Sequence, residues 1–318
     1  MKISVAMCTY NGARFVGEQL ASVAAQTREP DELVVCDDRS TDATVAVVKE
    51  FARRATFPVR LRVNESNLGS TRNFDRAVGL CAGDTIALSD QDDVWLPDKL
   101  RLCEEALDAA PDAGAVFTDA EIVDEDLRPT GRRLWSFFEF DGGRRRMVLE
   151  GRALELFAVY NYATGATMAF RSKYRELILP TPPDGRYIHD GWIALMIASV
   201  ARLTLIPEPT ILYRQHPGQQ LGVRLESPGG ADDPRAAVFA GMIQNYRAVY
   251  GRLRERCQLY GCGAALEEVA ARLAHFEART SLPRSPLRRA PVVLRELLSR
   301  RYHRYGRGLR SAARDLLS

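Results

Sequence analysis

The chain reads as an α/β protein with a mainly parallel central sheet flanked by helices, and three observations predict it. Short β-type runs alternate with helical patterns of roughly ten residues through residue 118, the signature of crossover connections. The segments that follow those runs, CTYNG, CDDRSTD, NESNLGS and SDQDD, are polar or acidic, and ligands in parallel sheets bind at the carboxyl ends of strands. A chain of 318 residues with 46% hydrophobic and 27% charged residues has an ordinary globular composition and length enough for a full core.

In order, strands are expected at residues 2–8, 32–36, 59–63, 85–88 and 115–118, and helices at 13–26, 43–53, 71–80 and 97–110. Residues 119–150 are polar and Gly-rich with an exposed-looking WSFFEF, and are expected to form an excursion over the site. YNYATGATMAF, RYIHDGWIALMIAS and PTILYRQHPGQQLG place small or ionisable groups beside apolar runs and look like the second half of the same domain. Helical periodicity runs over 236–278, and SLPRSPLRRAP interrupts it with prolines. The expected division is an α/β domain at 1–218, a helical extension at 219–280 and a basic amphipathic tail at 281–318.

Charge is unevenly spread. Residues 281–318 hold ten Arg against Glu296 and Asp315, a net of +8, so with +3 for the whole chain residues 1–280 carry −5. Leu, Val and Tyr at loosely helical spacing among those arginines fit an interfacial helix on anionic lipid, and equally a solvated helix packed on the domain or a partner. Nucleic-acid binding is not expected, since the remainder is acidic and no recognition motif is present. No window approaches the eighteen or so apolar residues of a membrane span, and MKISVAMCTYNG lacks a signal-peptide pattern, so a cytoplasmic chain, at most peripheral on the inner face of the membrane, is expected. The six cysteines form no CxxC pair, and Cys8 and Cys36 read as small core residues.

The most informative motif is LSDQDDVWLPDKL. Asp90, Asp92 and Asp93 follow the apolar run TIALS, where a buried strand would end in clustered acids, and the helix-starting Pro97 comes next. Asp124, Glu125 and Asp126 make a similar triplet, but VDEDLRPTG is a polar turn. No GxGxxG follows the first strand and no Walker A sequence occurs, which argues against a dehydrogenase or a P-loop NTPase. Tyr10 in CTYNG could stack on a base. Asp38 in CDDRSTD could accept from a base N–H, although Asp37 and Asp38 also suit turn and capping roles.

Together MKISVAMCTYNG, ELVVCDDRSTD, NLGSTRNFDRAV and LSDQDDVWLPDKL resemble the family 2 glycosyltransferases, whose fold is the GT-A (nucleotide-diphospho-sugar transferase) fold, over residues 2 to about 216. DQDDVWLPDKL, TGAT, HDGW and YRQH also resemble the bacterial rhamnosyltransferase-like branch in their order. The resemblance implies a nucleotide-sugar donor, dTDP-rhamnose or a UDP-sugar, an acceptor that is a surface glycan or its lipid-linked precursor, and a divalent Mg²⁺ or Mn²⁺. It implies Tyr10 and Asp38 as nucleobase contacts, Thr9 as a backbone contact to the nucleotide, and Asp92 as the principal metal ligand with Asp90 assisting through the ribose or a water. His216 would complete the metal shell. Asp190 in IHDGW would be the catalytic base of an inverting displacement, and it also suits a helix cap. His189 stands where the family often has Glu, and Gly165 in TGAT would permit close approach to donor or acceptor sugar. A nucleotidyltransferase and a non-catalytic membrane-surface scaffold are the rival functions. The first should carry a Gly- and Lys/Arg-rich loop that CTYNGARF does not supply, and the second has no physical reason to keep buried acids at a strand end.

Overall fold

The computed structural model describes residues 1–183, 187–219, 234–283 and 285–317. These residues group into two compact units, one on each side of residues 220–233. The beginning of the expected helical extension therefore lies outside the described residues.

The first unit opens with the expected alternation: β1 (Ile3–Thr9), α1 (Val16–Ala24), β2 (Glu32–Asp37), α2 (Thr44–Arg54), β3 (Val59–Val63), α3 (Ser70–Leu80) and β4 (Thr85–Ser89). These four strands lie parallel in the order β3-β2-β1-β4. β1 is buried along its whole length, which is why ISVAMCT reads as a continuous run and not as an alternation. Val16, Leu20 and Val23 recur at helical spacing on α1, and they join Ile3, Val5, Met7, Leu33 and Val35 in one core.

Beyond β4 the sheet becomes mixed. β5 (Val94–Trp95), α4 (Lys99–Ala109), β6 (Ala113–Val123) and β7 (Pro129–Arg133) follow. Next come three short helices, α5 (Leu134–Phe137), α6 (Gly142–Leu149) and α7 (Ala153–Phe157). β8 (Met168–Arg171), α8 (Arg175–Ile178), α9 (His189–Val200) and β9 (Arg202–Arg214) complete the unit. β8 inserts antiparallel between β4 and β6, β9 pairs parallel with β6, and β5 closes the edge antiparallel to β9. In β9 the register skips from Ile206 to Pro209 opposite Thr118 and Asp119, so Pro207 falls at a bulge, where a missing N–H costs no ladder bond.

The excursion expected at 119–150 needs correcting. β6 runs on through Val123 and turns back into β7, and WSFFEF is not an exposed stretch: Trp135 and Phe140 are buried. Phe117 packs against Trp135, Phe140 and Phe157 at centroid distances of 5.8, 5.7 and 5.9 Å, because a helical turn directs Trp135 back onto the sheet. Asp124, Glu125 and Asp126 form the turn, with Asp124 Oδ1 accepting from the Asp126 and Arg128 amides. α9 is apolar on nearly every side and almost wholly buried, as a helix inside the layers must be.

The second unit is helical: α10 (Pro234–Tyr260), α11 (Gly263–Thr280), α12 (Pro286–Leu298), α13 (Arg301–Tyr305) and α14 (Leu309–Leu317). Tyr246 stacks on Phe276 at 5.8 Å to join α10 and α11. The last three helices fold back on α11 through a buried hydrogen bond, His275 Nδ1 to Glu296 Oε2 at 2.8 Å, and a buried ion pair, Arg279–Asp315 at 2.6 Å, around Val293, Tyr302 and Ala312. Among the described residues no helix is long and apolar enough to cross a membrane. Among the described residues Cys8, Cys36, Cys81, Cys103 and Cys262 are buried thiols outside any disulfide.

Phe157 is completely buried at the centre of the aromatic cluster. Phe157→Ala should cost about 3–5 kcal/mol by transfer and cavity terms together. Chemical denaturation should show the loss, and a change within error would remove the cluster from the core.

Candidate active site

The strands of the first unit end on one edge, and there a cleft of about 530 Å³ opens. Thr9, Tyr10, Asp38, Asp90, Asp92 and Asp190, six of the residues singled out from the sequence, line it, with His189 and Tyr213. His216 reaches the same place through Asp92, whose Oδ2 lies 3.0 Å from the imidazole Nε2. Gly165 sits behind Asp190.

Each placement has a local cause. Thr9 ends β1, and its hydroxyl donates to Asp37 Oδ2 at 2.8 Å. Asp37 Oδ1 also accepts from the Ser40 amide, the turn role that its sequence allowed. Tyr10, half exposed at the rim, is held through its backbone: Gln91 Oε1 accepts from its amide at 2.9 Å, and Gln91 Nε2 donates to its carbonyl at 3.1 Å. Gly12 leaves room for that amide, since a Cβ there would stand 2.1 Å from Gln91 Oε1. Asp38 accepts from Asn64 Nδ2 and from the amides of Leu68 and Gly69, each at 2.8 Å. Of its roughly four lone-pair sites, one remains for a ligand.

The acids are divided by environment. No hydrogen bond reaches the Asp90 carboxylate among the described residues, and burial, then Asp92 and Asp190, push its pKa up to about 8. Asp93 turns away from the cleft, where its Oδ1 accepts from the Arg214 amide at 3.0 Å. Burial, followed by the charges of Asp92 and Asp90, raises its pKa well above the usual range. Asp92 and His216 remain as a carboxylate–imidazole pair with Asp90 nearby in sequence. A hard divalent cation keeps several waters and needs few protein ligands once diphosphate oxygens are present, so this donor set fits one. Among the described residues no three acidic, His or Cys side chains converge into a complete cage.

Asp190 lies in the first turn of α9, and its carboxylate is fixed from three sides. Oδ2 accepts from the Gly165 amide at 3.0 Å, and Oδ1 accepts from Asn161 Nδ2 at 3.1 Å and from the Gly191 amide. Burial raises its pKa to about 6 against the opposing pull of the Gly191 and Gly165 amides. The close approach that Gly165 permits is to Asp190 and His189, not to open cleft space: a Cβ there would lie 3.3 Å from Asp190 Cβ and from His189 Nε2. His189 stacks on Phe74 at 3.9 Å, and burial lowers its pKa to about 3, so it packs as a neutral ring.

Sequence reasoning missed Gln91, although it lies inside SDQDD, because an amide flanked by three acids gives no periodic or compositional signal. It also missed Lys99, which is wholly buried and donates from Nζ to the Ala166 carbonyl at 2.9 Å. Its place at the start of α4 reads from sequence as a solvated lysine.

A mixed sheet that gathers acids and a buried carboxylate at one edge is the arrangement of the GT-A fold. The chain belongs to glycosyl transferase family 2, whose description it matches over residues 4–177. It is 27% identical over 217 residues to an uncharacterized glycosyltransferase of Nostoc sp. (strain PCC 7120), with 68% of this chain and 65% of that protein covered. The match thus spans less than two thirds of that relative's length. A dTDP-rhamnosyl transferase of Shigella flexneri is 26% identical over 233 residues, covering 69% of this chain and 74% of that protein. Staphylococcus aureus TarS 1–349 in complex with UDP-GlcNAc shares the fold at a TM-score of 0.56 and 17% identity, over 98% of this chain and 90% of that one.

The lowered pKa of His189 carries a pH signature. Between about 6.5 and about 3 the unfolded chain takes up a proton at this residue and the folded chain does not, so its burial removes stability as pH falls through that window. His189→Gln should therefore lose less stability than the parent between pH 7 and pH 4, as read from melting temperatures. Parallel pH profiles would show that His189 is already protonated in the folded state.

Proposed function

We propose that the chain transfers a sugar, L-rhamnose from dTDP-rhamnose, with inversion and divalent-metal assistance, onto a bacterial surface glycan or its lipid-linked precursor. The observation that carries this reading is the pairing, in one cleft, of the Asp90–Asp92–His216 group with a separately held carboxylate of raised pKa, Asp190. Support for rhamnose comes from the Shigella relative, and the basic segment 281–318 would serve as the peripheral contact with the membrane where a lipid-linked acceptor resides.

In this reading the base stacks on Tyr10, and the free lone pair of Asp38 accepts from a base N–H. The Thr9 backbone contacts the nucleotide, and Asp90 meets the ribose or a water. Asp92 and His216 would hold Mg²⁺ or Mn²⁺, which supplies Lewis-acid neutralisation of the diphosphate leaving group. Asp190 accepts the acceptor hydroxyl's proton as that oxygen attacks C1 from the face opposite the leaving group. A carboxylate with a pKa of about 6 suits a general base, being mostly ionised at pH 7 yet more basic than an exposed one. Gly165 and Asn161 keep it aimed.

Three measurements test the reading. Hydrolysis and thermal shift with dTDP-rhamnose, UDP-GlcNAc and GDP-mannose, with and without Mn²⁺, should single out dTDP-rhamnose with metal, because a ligand of the folded state raises its melting temperature. No response to any nucleotide sugar would sink the transfer reading. Asp190→Asn should lower turnover by about 10² or more while leaving donor affinity in place, whereas Asp92→Ala should abolish metal-dependent donor binding. In the parent, kcat/KM should climb as pH rises through about 6, since only the ionised form of Asp190 can take a proton. A flat profile there would remove Asp190 as the base.

A further inference from the structure

α12 has two apolar sides. One faces inward, where Val293 packs with Tyr302 and Ala312 and Glu296 is buried against His275. At about 100° per residue, Leu287, Leu294 and Leu298 fall within about 40° of one another on the other side, with Pro291 in the same row. These leucines are 87%, 56% and 76% exposed. Single exposed leucines are commonplace, but an aligned row of three on one helix marks an interaction surface.

Most of the positive charge of residues 281–318 is not compensated. Both acids of residues 281–318 are spent inside the helical unit, Glu296 on His275, Arg301 and Arg295, and Asp315 on Arg279 and the Tyr302 hydroxyl. Arg288, Arg300, Arg307, Arg310 and Arg314 are exposed, and no acidic side chain lies against them among the described residues. Arg288 and Arg295 each follow a leucine of the row, so they border it on one side. The outward surface is thus a leucine row bordered by the unpaired Arg288 and by Arg295, which shares Glu296 at 3.5 Å, on a segment whose other exposed arginines lack acidic partners among the described residues.

We propose that this face of α12 docks on an anionic lipid bilayer, with the leucines in the acyl boundary and the arginines on the headgroups. Charge complementarity selects this occupant. A second copy seated on the same row would bring arginine against arginine, whereas anionic lipid satisfies the apolar row and the cations together. The proposal rests on the transfer reading only for its purpose, the delivery of the cleft to a lipid-linked acceptor.

The test is co-sedimentation of the full chain with vesicles of phosphatidylcholine alone and of phosphatidylcholine with phosphatidylglycerol. Binding is expected only to the mixed vesicles, weakening as salt is added. The triple variant Leu287→Ser, Leu294→Ser, Leu298→Ser should bind about tenfold more weakly or worse, since it removes the inserting row. Arg288→Gln, Arg310→Gln, Arg314→Gln should weaken binding and flatten its salt dependence. Equal binding to neutral vesicles, or full binding by the leucine variant, would overturn the proposal. So would a parent that does not sediment with vesicles but is a dimer in ultracentrifugation that the leucine variant dissociates. Hydrolysis of soluble donor should be unchanged in both variants. A chain that binds mixed vesicles but hydrolyses no nucleotide sugar would leave this surface standing while the transfer reading fails.

Discussion

The cleft depends on one buried guanidinium. Arg214, at the end of β9, is almost fully enclosed, and it ties together four segments far apart in the chain. Its Nε donates to the Asp92 carbonyl at 2.7 Å, Nη1 to the Glu125 carbonyl in the β6–β7 turn, and Nη2 to Glu18 on α1, while its backbone amide donates to Asp93. The ring of Phe15 lies 4.7 Å from it. A charge this buried is tolerable only with its donors matched, and removing one partner of such a set costs more than the set contributes. Because Arg214 fixes the Asp90–Asp93 loop and stands two residues before His216, the spacing of Asp92 and His216 follows from its geometry.

Around that clamp the sheet concentrates negative charge where water is scarce. Asp90 and Asp190 are raised by burial first, and Asp90 further by Asp92 and Asp190 itself. Acids gathered in this way are stable only if protons or a cation share the space, so the perturbed pKa values and the absence of hydrogen bonds to Asp90 among the described residues point the same way. Asp190 is the exception. Amides and Asn161 solvate it in place of water, which leaves it ionisable near neutrality and sets its environment apart from that of Asp90.

How much of this is legible in the sequence differs between the halves of the sheet. β1, β2 and β4 announce themselves as short, largely apolar runs and β3 as the alternation VRLRV, the first three each followed by a turn and an amphipathic helix, and SDQDD is conspicuous at the end of β4. Asp190 is legible because IHDGW opens a long apolar helix. The second half is harder: β9 carries two prolines that read as breakers, and only the bulge against β6 shows how a strand absorbs them. WSFFEF looks exposed because its polar flanks dominate, and only the tertiary partner Phe117 reveals where its rings go. Gly165 stands out for its missing side chain, but sequence cannot say what approaches it. The approaching group is Asp190, 25 residues further on.

The aim of Asp190 is fixed from the core outward. Lys99 extends from the start of α4 beneath Trp95, 4.9 Å from its ring, and its ammonium grips the Ala166 carbonyl. Burial lowers the pKa of Lys99, with the nearby Cys103 and Asp93 opposing that shift, so the site carries a real desolvation cost. An apolar residue would fill the same space without it. What a lysine adds is a fixed direction for one carbonyl, and the Gly165–Thr167 turn that holds this carbonyl also presents the Gly165 amide to Asp190 Oδ2. Loops drift by fractions of an ångström unless something buried holds them, and a proton acceptor misplaced by that much loses rate steeply. The cleft edge of this sheet is therefore made rigid by two buried cations, Arg214 behind the Asp92 loop and Lys99 behind the Asp190 loop, each acting on backbone carbonyls and neither lining the cleft.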